Sequence, residues 1–171
     1  LLGNWTHTAG TFTAGSGTVT FSGATTPVAI SGATNTAFNN VTINKSAQGN
    51  VVKIQNSCTV GATLLLTTGT LQVESATMPG TTKDVDQSGT TVTYAGALAQ
   101  TVASTTYHHL TINKSANTAT LGGAIIVNGD LTLTLGTLAT ANNGIGLLGN
   151  WVHNGGTFTA GTCNASIPAA P

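Results

Sequence analysis

The pentapeptide Leu1-Leu2-Gly3-Asn4-Trp5 returns unchanged at Leu147-Leu148-Gly149-Asn150-Trp151. At the same offset of 146 residues, His7 returns as His153 and Gly10-Thr11-Phe12-Thr13-Ala14-Gly15 returns as Gly156-Thr157-Phe158-Thr159-Ala160-Gly161. Two further echoes lie inside that span. Thr18-Val19-Thr20-Phe21 is answered by Thr91-Val92-Thr93-Tyr94 at an offset of 73, half of 146. Val41-Thr42-Ile43-Asn44-Lys45-Ser46-Ala47 is answered by Leu110-Thr111-Ile112-Asn113-Lys114-Ser115-Ala116 at an offset of 69. Two diverged units of about 73 residues therefore fill the chain, at about 18–90 and 91–161, and 1–17 is equivalent to the end of a unit. Fixed long-period repetition marks a stacked, quasi-linear architecture, because each unit buries its apolar face only against its neighbours. The expectation is one solenoid domain over 1–161 and a non-repeat tail over 162–171.

The local pattern is that of strands. Thr18–Phe21, Val41–Ile43, Thr91–Tyr94 and Leu131–Leu135 alternate apolar residues with Thr, the period of a strand with one buried face. Thr supplies about one residue in five, and β-branched side chains pack well on a pleated surface. Gly, Asn and Ser punctuate the runs, at Ser31-Gly32, Gly122-Gly123 and Asn142-Asn143-Gly144 for example. No helical period stands out, so almost no helix is expected. An antiparallel β-sandwich would suit the short spacing between turns. The long-period identity favours an all-β parallel β-helix, with coils of about 18–25 residues and Asn ladders at the turns.

Charge excludes several functions. Only 5% of residues are charged, against roughly 25% in ordinary globular proteins. Arg is absent, and the net charge is zero with His neutral. Such a chain offers no electrostatic footprint for nucleic acid or an anionic membrane surface. Its apolar runs fall short of the ~20 residues of a spanning helix, so no membrane insertion is expected. A nearly uncharged surface favours association instead, and other copies of the chain are the expected partner.

The candidate chemistry is sparse. Asp84, Asp86 and Ser88, ahead of Gly89, fit the opening of a calcium loop. Ala95 stands where the twelfth-position carboxylate belongs, so a solvated turn is the stronger reading and no cofactor is assigned. Glu74, Asp84, Asp86 and Asp130 are the only carboxylates from which a glycan-cleaving site could be built, and no enzyme activity is expected. His108 and His109 would point to opposite faces of a strand, and His7 and His153 would share a stacking position. Thr11/Thr13, Thr18/Thr20, Thr91/Thr93, Thr118/Thr120 and Thr132/Thr134 raise the alternative of an ice-binding face. Cys58 and Cys163, the only cysteines, are disulfide candidates within or between chains. Asn4, Asn40, Asn44, Asn113 and Asn164 head glycosylation triplets.

The phrases Gly-Asn-Trp with Gly-Thr-Phe-Thr-Ala-Gly, Thr-Val-Thr-Phe-Ser-Gly, Leu-Thr-Ile-Asn-Lys-Ser and Asn-Gly-Asp-Leu-Thr-Leu-Thr resemble repeats of large secreted bacterial surface proteins of adhesin-like type. That resemblance implies right-handed β-helices, an extracellular or cell-surface location, contacts with cell surfaces or glycans, and no catalytic residues. The Gly-Asn-Trp phrase is missing at the middle junction, Thr82–Gly89, and the repeat breaks off after Gly161. The chain opens inside a repeat unit, so a mature or trimmed product is expected. The shared end phrases, with Trp5, Trp151 and Cys163, point to assembly by head-to-tail stacking, which generates open filaments. The tail favours a filament subunit over the alternatives, a stalk segment of a surface adhesin or an ice- or glycan-binding module.

Overall fold

The computed structural model describes residues 1–55 and 58–162. Its strands, numbered in chain order, are all paired in parallel and stack into a β-solenoid of about 7 turns, with no helix among the described residues. Parallel pairing excludes the antiparallel sandwich. Three rows of strands run along the rod. The first holds β1 (Trp5–Thr6), β3 (Val28–Ser31), β6 (Val51–Ile54), β9 (Thr70–Val73), β11 (Thr91–Tyr94), the start of β14 (His109–Leu121), the start of β16 (Leu131–Ala139) and β18 (Trp151–His153). The second pairs β4 (Thr36–Phe38) with β7 (Cys58–Val60). Farther along it runs from a bridge at Thr77 through β12 (Gln100–Val102) and the distal parts of β14 and β16 to β19 (Thr157–Thr159). The third holds β2 (Thr18–Gly23), β5 (Asn40–Lys45), β8 (Thr63–Thr68) and β10 (Thr82–Asp84). A bridge from Val85 to Tyr107 carries it on to β13 (Thr106–Tyr107), β15 (Ile125–Val127) and β17 (Ile145–Leu147).

Partners in the first row stand 25 residues apart at Trp5 and Ile30 and 18 apart at Thr91 and His109, so each coil needs about twenty residues to circle the core. The alternation explains which side chains fill it. Val41 and Ile43 point inward and Thr42 outward, and the same order holds at Leu110, Thr111 and Ile112. Phe21, Ile30, Ile54, Leu64, Leu71 and Leu133 are fully buried and stack from coil to coil.

Among the described residues the few polar groups inside are paired, except His108 Nδ1, which is buried without a hydrogen-bond partner. Tyr107 donates to the Ala103 carbonyl at 2.7 Å, and the Ala103 amide donates to the Tyr94 hydroxyl at 2.9 Å. Tyr94 is therefore the donor to Tyr107 across 3.3 Å, which closes the network. Burial pushes the Tyr94 hydroxyl up to about 12.

The phrases with offsets 73 and 69 occupy different rows. Thr18–Phe21 lies in β2 of the third row and Thr91–Tyr94 in β11 of the first; Val41–Lys45 lies in β5 and Leu110–Lys114 in β14. One device recurs at both of the latter. After a register shift that follows Ile43 or Ile112 the strand turns a Lys inward, and a Gly of the next coil covers it: Gly69 over Lys45 and Gly136 over Lys114. At Gly136 φ is +81°, and an added Cβ would lie 2.7 Å from the Lys114 Cβ. Gly136→Val should therefore cost about 2–4 kcal/mol in chemical denaturation, combining left-handed strain with overpacking. Gly144→Ala, in open space, should change stability by less than about 0.5 kcal/mol.

Candidate functional site: the aromatic coils and the buried polar corners

The two copies of the end phrase form the same structure. In the first coil, the Trp5 and Phe12 rings meet edge-on with centroids 4.9 Å apart; in the last described coil, Trp151 and Phe158 meet at 5.0 Å. All four rings are half-buried against the core. They differ in what covers them. Trp5 and Phe12 pack on Phe38 of the second coil at 5.1 and 5.6 Å. The Trp5 indole donates to the buried Thr36 hydroxyl at 3.0 Å, and His7 Nδ1 lies 3.0 Å from the same oxygen. Among the described residues no coil follows Trp151 and Phe158, and His153 turns to the Gly156 carbonyl at 3.3 Å. Asn4 and Asn150 hold the same turn by different partners. Asn4 accepts from the Ala29 amide at 2.9 Å, and Asn150 donates to Asp130 at 2.9 Å.

The buried lysines were invisible as candidate sites in the sequence, although the period of two places them inward after Ile43 and Ile112. Lys45 is 2% exposed, and its Nζ donates to the Ser22 carbonyl at 2.8 Å. Lys114 is 1% exposed and donates to the carbonyls of Gly96 and Leu98 and, at 2.9 Å, to Gln100 Oε1. Gln100 in turn donates to the Val73 and Ser75 carbonyls at 2.9 and 2.7 Å, so one network ties three coils. Desolvation lowers the pKa of both lysines. These cations cross-link corners through main-chain carbonyl and side-chain amide oxygens.

The other titratable residues form small groups at the surface. Glu74 accepts from Gln72 at 2.7 Å and Gln55 at 3.0 Å and lies 3.5 Å from Lys53, on the outer side of the first row. Asp84 accepts from Gln87 at 3.2 Å, and the Ser88 carbonyl accepts from Gln48. Val85 points inward between Asp84 and Asp86, which share the outer side. Among the described residues no group of three His, Cys, Asp or Glu could hold a metal ion. His108 and His109 do not point to opposite faces: the chain bends at His108, and the two rings meet edge-on at 4.3 Å. The Asp130 amide donates to His109 Nδ1 at 2.9 Å, which places the hydrogen of the neutral ring on Nε2.

The remaining candidates divide by exposure. Asn44 and Asn113 are exposed, whereas the Asn40 carboxamide binds the Ser16 carbonyl and the Thr63 amide. Among the described residues Asn side chains bridge coils to other partners rather than to each other, as Asn143 does to the Leu121 carbonyl at 3.1 Å. Cys58 is inward and buried, and burial pushes its thiol up to about 12. Cys163 and Asn164 lie outside the described residues. Outward Thr residues stack at Thr93, Thr111 and Thr132, but the same column holds Lys53, Gln72 and Val152. A surface groove lined by Gln55, Glu74, Gly96 and Leu98 contains no aromatic side chain. Compared with family models, curated proteins and solved structures, the chain matches none.

Lys114→Met leaves two carbonyls and Gln100 without their donor and should cost about 1–3 kcal/mol, whereas Lys53→Met on the surface should cost less than about 0.5 kcal/mol. A urea titration of each variant checks this. Desolvation and the neighbouring His109 lower the His108 pKa, outweighing the attraction of Asp130 and Asp86. The folded state therefore binds fewer protons than the unfolded one, so stability should hold above about pH 6.5 and decline as pH falls below it. His108→Gln should flatten that decline in thermal melts taken across the range.

Proposed function

We propose that the chain is a non-enzymatic extracellular structural protein, a subunit of a self-assembling filament in which β-solenoids join head to tail. The observation that carries this reading is the pair of equivalent aromatic coils, one covered by a following coil and one presenting the same rings uncovered among the described residues. Parallel ladders support it further, because the outer edge of a terminal coil offers unpaired backbone groups along the rod axis. A chain in which 5% of residues are charged offers little repulsion against association.

A second reading rests on the same equivalence. Trp5 and Trp151 stand in one row seven coils apart, so further units of 146 residues would continue the rod without a break, as in the stalk of an adhesin-like surface protein. An ice-binding face has less support, because the Thr93–Thr111–Thr132 column is interrupted on both sides. A glycan-binding groove lacks the stacking aromatic rings that sugars use. Cys163 is the thiol suited to locking a joint, since the inward Cys58 is a poor source of thiolate.

Negative-stain electron microscopy of the 171-residue chain, with and without reductant, tests the reading. Long uniform filaments are expected, and shortening under reductant would place Cys163 at the joint. Monodisperse short rods at all concentrations would overturn the filament reading.

A further inference from the structure

The last described coil carries the same aromatic phrase as the first, with the same ring geometry. Residues 1–15 dock on the rest of the rod through a defined set of contacts. The Leu1 carbonyl accepts from the Ser22 amide of β2 at 2.9 Å, and Trp5 and Thr6 pair with Ile30 and Ser31 of β3. The His7 amide donates to Ser31, the Thr34 amide donates back to His7, Asn4 accepts from Ala29, and Trp5 reaches Thr36 and Phe38. The side chains that make these contacts, Asn4, Trp5, His7 and Phe12, recur as Asn150, Trp151, His153 and Phe158. The backbone part needs only the shared extended path. The two strand phrases also share their own geometry, with aromatic centroids 4.9 and 5.0 Å apart. The first-coil segment is weakly held for its length, because β1 pairs over two residues only.

We infer that subunits join by segment replacement: residues 147–161 of one copy displace residues 1–15 of the next and dock on its β2, β3 and Thr36–Phe38. This rests on the filament reading above and specifies its joint. The occupant is a second copy of this chain, and the template is the contact between the first and second coils. Leu147 would meet the edge of β2 as Leu1 does, so β17 and β2 would pair across the joint. The copied phrase ends at Gly161, matching Gly15, just ahead of β2. The joint coil then takes its first two sides from one copy and its third from the other.

Replacement and simple stacking differ in two measurable ways. Replacement merges two coils into one, so the filament repeat is seven coil spacings, about 34 Å, whereas stacking an intact eighth coil on an intact first gives about 38 Å. Replacement also makes the two tryptophans act in opposite directions. Trp151→Ala should raise the concentration needed for filaments by more than about tenfold. Trp5→Ala loosens only the segment to be displaced and should lower that concentration or shorten the lag. Excess peptide of residues 1–15, added in trans, should cap β3 and arrest growth. The measurements are sedimentation of polymer against concentration for the three full-length chains, and the axial repeat from electron micrographs. Filaments with a 38 Å repeat, or equal weakening by Trp5→Ala and Trp151→Ala, would overturn replacement while leaving head-to-tail assembly standing. Absence of filaments from the unsubstituted chain and from Trp5→Ala would overturn both.

Discussion

The hydrogen bonds between successive coils run along the rod axis, and everything else in the molecule is arranged around keeping them unbroken. Because every strand pairs in parallel with the strand one coil away, each backbone group depends on its neighbour about twenty residues later. The core between the rows is filled by buried, mostly apolar side chains. A polar group that turns inward must therefore carry its own partners. Thr36, Gln100 and the Tyr94–Tyr107 pair do so through hydroxyl and amide contacts, and Lys45 and Lys114 do so through main-chain carbonyls freed at corners. The lysine corners also need glycine in the coil above, which couples Lys114 to Gly136 across 22 positions of sequence.

Much of this was legible in the sequence. Alternation at Val41–Ile43 and Leu110–Ile112 gave the inward residues, and the 146-residue identity gave a stacked rod with aromatic pairs at equivalent positions. The half-period was less informative about position. A phrase such as Thr-Val-Thr-Phe encodes inward and outward alternation but not which side of the coil it lies on, so its relatives occur in the third row at β2 and the first row at β11. Lysine burial was missed because Asn-Lys-Ser has the polarity of a turn, although period two already set Lys45 on the side of Ile43. The contact between His108 and His109 depended on a bend between rows, which adjacent identical residues do not announce.

A charge-poor solenoid with reusable coils carries the same phrase twice. In most folded domains a terminal segment is distinct and its docking site accepts nothing else. Here two segments, 1–15 and 147–161, carry the same recognition elements, and under the proposed segment replacement one docking site would serve both. Intramolecular closure and intermolecular joining would then compete for the same contacts, with concentration setting the balance between them. Either outcome preserves the ladder.

The placement of the four lysines carries a consequence for durability. With Arg absent, a protease that cuts after basic residues has four positions to choose from, and these are Lys45 in β5, Lys53 in β6, Lys83 in β10 and Lys114 in β14. Such an enzyme must draw several residues of extended chain into its cleft and grip the cationic side chain. Every one of the four lies in a strand already paired with a neighbouring coil, and two have their ammonium groups turned into the core. The folded rod offers trypsin-like enzymes no loose basic site, so its charge-poor composition serves also as resistance to digestion.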